Sequence, residues 1–274
     1  MTSDEFPPPW DDEHPAFDTS VSHQARVYDY WLGGKDNFAA DRAFGDALDA
    51  VYPGIAATAR ANRAFLGRVV RFLAGEAGVS QFLDIGTGIP APGSTHEVAQ
   101  EVRPDSRIVY VDNDPVVLSH ARALLTGRAP GTTDYLDADL HDPGRILREA
   151  ARTLDFARPV GLLLLSLLHA FPDSDDPYGI VATLMDTLPS GSYLALTHWG
   201  ADPASPAAET KVGELTREMS HQQYNARSQA EVGRFFDGLE LIEPGLTRVQ
   251  DWRPGPGKEP ARDLVWWAGV ARKP

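Results

Sequence analysis

The stretch from Gln81 to Ser94, QFLDIGTGIPAPGS, concentrates residues that could do chemistry. An apolar run ends in Asp84, a tight turn carries Gly86, Thr87 and Gly88, and a helix is expected to open near Ser94. Glycine lets the backbone approach a ligand closely, and a carboxylate at a strand tip accepts hydrogen bonds from a cationic or donor group. Farther along, RIVYVD ends in Asp112 and is followed by Asn113, Asp114 and Pro115. Facing a crevice at the strand ends, Asp112 can accept from both hydroxyls of a ribose. The plainer role, capping the next helix, suits Asp114 best because it immediately precedes proline. In TDYLDAD, Asp139 can accept from an adenine amino group with Leu140 over the ring, or it can cap a turn.

By itself the glycine turn fits two cofactors. GTGIPA satisfies the loose G-x-G-x-x-A form of a dinucleotide fingerprint, and Asp112 could bind ribose in either case. A pyrophosphate needs unobstructed N–H groups, yet Asp84 would repel it, and Pro90 and Pro92 remove donors. S-adenosylmethionine carries an ammonium and a sulfonium and no phosphate, so the acidic turn favours it over a nicotinamide cofactor.

Base candidates are His169 and His198, both at expected carboxyl ends of strands, where an imidazole can take a proton near pH 7. The more ordinary role for each is that of a hydrogen-bonding residue of the pocket wall. Arg60 and Arg63 share a helix from which either can meet a carboxylate, although charged helix residues are commonly solvated. Arg26 and Tyr30 lie four apart on a helix that stops at Gly33-Gly34, beside Lys35, Asp36 and Asn37. Tyr28, Tyr30 and Trp31 also suit ordinary core anchors of an added helical layer. Thr95-His96-Glu97 begins like a zinc-protease helix, but position 100 is Gln, and no metal site is expected. Neither a phosphate loop of the G-x-x-x-x-G-K-[ST] type nor a G-x-S-x-G elbow is present.

The elements that must position these groups follow from hydrophobic patterning. Short apolar runs at 81–86, 107–112, 133–139, 160–168 and 192–199 alternate with helical segments at about 94–102, 115–126, 143–153 and 177–188. That alternation predicts a parallel sheet with right-handed crossovers, a doubly wound α/β fold. The runs LELIEPGLTRVQDW and DLVWWAGVAR predict an antiparallel edge closing the sheet. Before the first strand, helical spacing begins at Ser22 and a further helix is expected at about 55 to 76. Residues 1 to about 20, acidic and Pro-rich, suit a mobile arm. The remainder, 21–274, divides into a helical extension (21–78), a cofactor-binding core (79–200) and an acceptor-side region with closing strands (201–274).

Composition narrows the partners. With 274 residues, 42% hydrophobic, the chain can bury a sizeable core. A formal charge of -14 disfavours nucleic acid. Zero cysteines exclude disulfides and thiolate chemistry and fit a reducing compartment, and no targeting or membrane-spanning segment is legible, so a cytoplasmic protein is expected.

The order D-I-G-T-G, Y-V-D-N-D-P, D-A-D-L and S-L-L-H-A-F resembles class I S-adenosylmethionine methyltransferases. Together with S-H-Q-A-R-V-Y-D-Y-W-L-G-G-K-D-N-F-A-A-D-R it is similar, more narrowly, to an actinobacterial family of predicted S-adenosyl methyltransferases. The resemblance implies a Rossmann-like sheet of seven strands with the last antiparallel. It also places Asp84, Gly86, Gly88, Asp112, Asp139 and Ser166 around the donor, and implies an N-terminal extension over the cofactor. The fourth strand ends in Ser166-Leu167-Leu168-His169 rather than Asn-Pro-Pro-Tyr, which leaves the acceptor chemistry open. The reading is methylation of a small molecule at oxygen, nitrogen or carbon. A nicotinamide-dependent oxidoreductase and a non-catalytic S-adenosylmethionine sensor stand as alternatives.

Overall fold

A computed structural model describes residues 18–124, 131–201, 206–220, 224–255 and 265–274. Most of the N-terminal arm, residues 1–17, lies outside them. So do 125–130, where the helix expected at 115–126 was to end, and parts of the 201–225 stretch.

Three helices precede the sheet: α1 (Gln24–Leu32), α2 (Ala39–Val51) and α3 (Ile55–Arg71), the last continuing through a π turn, Phe72–Glu76. Gly33 ends α1 in the left-handed conformation (φ 82°), which a side chain would strain, and its N–H bonds back to α1. There follow β1 (Gln81–Ile85), α4 (Thr95–Val102), β2 (Arg107–Asp112), α5 (Pro115–Leu124), β3 (Thr132–Asp137) and α6 (Pro143–Ala150). Then come β4 (Gly161–Leu165), α7 (Pro177–Thr187), β5 (Tyr193–Trp199), α8 (Pro206–Met219) and α9 (Gln229–Gly233). The chain ends with β6 (Glu240–Leu241), β7 (Thr247–Arg248) and β8 (Trp266–Arg272).

The sheet runs β3-β2-β1-β4-β5-β8-β6, with β7 also paired to β8. The strands from β3 to β5 are parallel, and β8 is antiparallel to β5. The doubly wound class is as expected, but eight strands replace seven. The run LELIEPGLTRVQDW is broken at Pro244-Gly245 into two two-residue strands, because proline brings no N–H to a ladder. The two tail runs together close the sheet as the expected antiparallel edge, with β8 between β5 and β6.

Alternation along the strands divides the core. Phe82, Ile108, Tyr110 and Leu163 pack with the α3 residues Phe65, Val69 and Val70 on one face. Leu83, Ile85, Val109, Val111, Leu162 and Leu164 pack with α6 and α7 on the other. Caps legible in the chain are formed: Ser228 and Glu231 make a capping box, and Asp176 accepts from Gly179 N at the start of α7.

The turn after β4 is fastened from a distance. The buried Arg227 guanidinium donates to the carbonyls of Leu168 (3.1 Å) and Phe171 (2.9 Å) and to Asp173 Oδ1 (2.7 Å), and it lies 2.8 Å from His198 Nε2. Arg227→Leu would strand two buried carbonyls and a ring nitrogen. Its unfolding free energy should fall by roughly 2–5 kcal/mol in urea titration, and a loss under about 0.5 kcal/mol would show that this clasp is dispensable.

Candidate functional site

Strand order reverses between β1 and β4, and at such a switch point the strand tips leave a crevice. A cavity of about 290 Å³ occupies it. Its walls include Asp84, Gly86, Thr87 and Gly88 after β1, Asp112 and Asn113 after β2, and Asp139, Leu140 and His141 after β3. Ser166, Leu167 and Phe171 line it after β4, while Gln24, Tyr28, Asn62 and Arg63 close it from the N-terminal helices.

Asp84 is buried, and Thr95 Oγ1 donates to its Oδ2 at 2.6 Å. Burial pushes its carboxyl up to about 6, against the opposing pull of Thr95 and of Arg63. Asp112 is also buried and raised by desolvation, although Gly88 N (2.9 Å) donates to Oδ2 and Asp114 N (3.0 Å) to Oδ1. Each of its oxygens keeps accepting capacity, so Asp112 braces the glycine turn and still faces the cavity. Asp114 is the cap, accepting from Val116 N at 2.6 Å and pairing with His23 Nδ1 at 2.5 Å. Burial alone would raise Asp114, but His23 holds it below the usual carboxylate range.

The two glycines do different things. Both have positive φ (73° at Gly86, 65° at Gly88). A Cβ on Gly86 would lie 2.7 Å from Leu167 Cδ1, so that glycine answers to a neighbouring side chain; on Gly88 it would meet nothing within 4 Å. Glycine at 86 is therefore required by the packing of Leu167 as well as by its positive φ.

Asp139 accepts from His141 N (2.9 Å), lies 2.7 Å from His141 Nδ1 and takes a bond from Asn113 Nδ2 (3.2 Å). Despite some desolvation, the His141 contacts lead in holding it below its ordinary value. Arg63 Nη2 donates to the carbonyls of Ala91 (2.6 Å) and Pro92 (3.3 Å), and its buried Nε has no partner. Arg60 instead donates to Trp31 O at 3.5 Å and is not among the cavity-lining residues.

Three expected residues lie elsewhere. Tyr30 is not on the cavity wall, and its hydroxyl donates to Asp46 Oδ1 at 2.7 Å. Helical phase is the reason: Gln24 and Tyr28, four apart, share the inward face, and two residues further the helix has turned away. Neither His169 nor His198 lines the cavity. Both are buried, and desolvation drives His169 well below its ordinary value and His198 down to about 3, helped by Arg227. Both rings are therefore neutral and enclosed behind the cavity wall, His198 held by Arg227. Gln24, Tyr28, Asn62 and His141 were missed; the i, i+4 spacing of Gln24 and Tyr28 was the available signal. Among the described residues no group of side chains could hold a metal ion.

A family model for S-adenosyl methyltransferases matches residues 11–274. The chain belongs to this family. A DUF574 family protein from Streptomyces avermitilis MA-4680 is 44% identical, with a TM-score of 0.88 over 93% of this chain and 99% of that one. A protein from Thermobifida fusca YX is also 44% identical, with a TM-score of 0.83 over 93% and 96%. The N-methyltransferase NodS from Bradyrhizobium japonicum WM9, solved with S-adenosyl-L-homocysteine, is similar in fold only: 13% identity and a TM-score of 0.51 over 91% and 99%. No curated protein matches the chain.

S-adenosylmethionine is the cofactor of this family, and the donor set fits it. A cavity with two buried carboxylates, a third at its edge and one arginine carrying an unpaired buried N–H suits a ligand with cationic, hydroxyl and carboxylate groups. Asp112→Ala should weaken S-adenosylmethionine binding by roughly 1–3 kcal/mol in calorimetry on folded protein. Unchanged affinity would leave Asp112 as a brace of the turn alone. Because the folded pKa of Asp84 is raised, its contribution to the stability of the ligand-free protein is present below 3.8 and lost as pH rises through about 6. A cationic ligand stabilises the ionised form, so donor affinity should climb with pH between about 5 and 7, with proton release, then level off. Flat affinity across that window would remove Asp84 from the site.

Proposed function

We propose that this family member transfers the methyl group of S-adenosylmethionine to a small-molecule acceptor. The observation that carries the reading is the pair of buried carboxylates, Asp84 and Asp112, at adjoining strand tips of one cavity. Burying negative charge without a full complement of donors is unfavourable, and a ligand bearing positive charge and hydroxyls relieves it. In this reading Asp112 and Asn113 take the ribose hydroxyls, and Asp139 and Leu140 take the adenine. Asp84, with the Gly86-Thr87-Gly88 turn, takes the ammonium side, Arg63 takes the carboxylate, and Ser166 borders the donor from the end of β4.

When bound, the donor supplies an electrophilic methyl on a sulfonium. The chain binds and orients it, excludes water, and lines up the acceptor; transfer of this kind is mainly a positioning problem, so no base is assigned. Residues 21–78 would cover the donor within a single domain, 21–274. Gln24 and His23 at the start of α1 already reach across to Ser166 and Asp114. Among the described residues no helix is long and apolar enough to cross a membrane. With a charge of -14, a small cytoplasmic acceptor suits the chain better than a nucleic acid.

A nicotinamide dinucleotide would set its pyrophosphate against Asp84 in a turn where Pro90 and Pro92 offer no N–H. Calorimetry should therefore show micromolar-range binding of S-adenosylmethionine and its demethylated product, and none of NADH. Demethylated product accumulating with a metabolite extract would establish turnover. Donor binding without turnover across extracts would point to a sensor, and NADH binding would overturn the assignment.

A further inference from the structure

The side-chain amide of Gln24 is held in a manner that says what else would fit there. Its Nε2 donates to the backbone carbonyl of Ser166 at 2.6 Å and lies 3.3 Å from His169 Nε2. Facing a carbonyl oxygen, that atom of the carboxamide must be nitrogen, because an oxygen would meet another lone pair. His169 Nε2 must then be the lone-pair nitrogen of the ring, with the proton on Nδ1, which is buried and without a partner. Two acceptors thus converge on a single NH2 group. Ser166 is positioned for this by an unusual backbone, with φ at 58°, a conformation non-glycine residues rarely adopt.

The surroundings hold the pair in its accepting state. His169 stacks on Tyr224 (5.1 Å between centroids) and meets Trp266 and Trp199 edge-on. Burial in that aromatic box keeps the ring neutral, so its lone pair stays available. The His169 carbonyl is fixed by Asn225 N at 2.7 Å. Gln24 is a partly exposed residue of the cavity wall, and Ser166, Leu167, Ala170 and Phe171 line the same end of the cavity. The acceptors are rigid and set behind the wall, while the group occupying them is on a flexible side chain in front.

We propose that the carbonyl of Ser166 and Nε2 of His169 form a recognition niche for an NH2 group, amide or amine, of the methyl acceptor, and that the Gln24 carboxamide fills it until the acceptor displaces it. This rests on the methyltransferase reading above and adds the chemical class of the acceptor. A hydroxyl or ether offers at most one hydrogen and leaves one of the two buried acceptors unpaired, which is the basis of discrimination.

Benzamide and acetophenone have the same shape but differ by NH2 against CH3, and they serve as probes. Wild-type protein and Gln24→Ala are first titrated with S-adenosylhomocysteine, then with each probe in its presence. Gln24→Ala should bind benzamide about tenfold more tightly than acetophenone, and about tenfold more tightly than wild type does, because no carboxamide competes. Wild type, which needs no substitution to fold, should still prefer benzamide by about threefold, since acetophenone cannot replace the displaced donor. Failure of wild type to bind S-adenosylhomocysteine overturns the donor reading and the niche with it. Normal donor-product binding with equal affinity for the two probes, or with neither binding, overturns the niche alone.

Discussion

Buried negative charge at the tips of two neighbouring parallel strands is the constraint around which this molecule is arranged. Asp84 is the penultimate residue of β1 and Asp112 the last of β2, and both carboxylates are withdrawn from water. Their partners are few: a threonine hydroxyl for one, two backbone N–H groups for the other. The raised pKa of each is the physical signature of that incomplete compensation. The glycine turn takes its shape from it, because Gly88 N is one of the donors to Asp112. Preference for a cationic ligand follows for the same reason.

The N-terminal helices are tied to this centre through its neighbours. Asp114, the helix cap two residues past Asp112, also binds His23. Arg63 reaches the loop beyond the glycine turn, and Tyr28 bonds both the Ala59 carbonyl and Asn62 in α3. Polar contacts of α1 therefore fall on both sides of the cavity, on the β2 side through His23 and on the β4 side through Gln24. Apolar packing supports the same placement, with Val27 fully inside the core shared by α2 and α3.

Behind the β4 side, His198 and Arg227 form a buried polar pair whose work is structural, with the His169 ring packed against His198. A guanidinium with four close partners can order the irregular chain from Leu168 to Asp173, which has backbone carbonyls that no strand satisfies. The same cation helps keep both imidazoles neutral. A ring held neutral can accept a hydrogen bond at any ordinary pH, a property that solvent-exposed histidine lacks.

The sequence by itself determined the alternation of strands and helices, the glycine turn with its leading carboxylate, the acid at the end of the second strand, and the caps at Ser228 and Asp176. These are local: each depends on spacing or on neighbours within four residues, and a single chain carries that information. Only the tertiary structure decided which face of α1 meets the cavity, so that Tyr28 lines it while Tyr30 turns to Asp46. It alone enclosed His169 and His198 among aromatic side chains, and it alone paired Gln24 with Ser166, 142 residues away. Burial and long-range pairing depend on how elements stack, and nothing in local periodicity encodes the distance between the ends of two different strands and a helix packed across them.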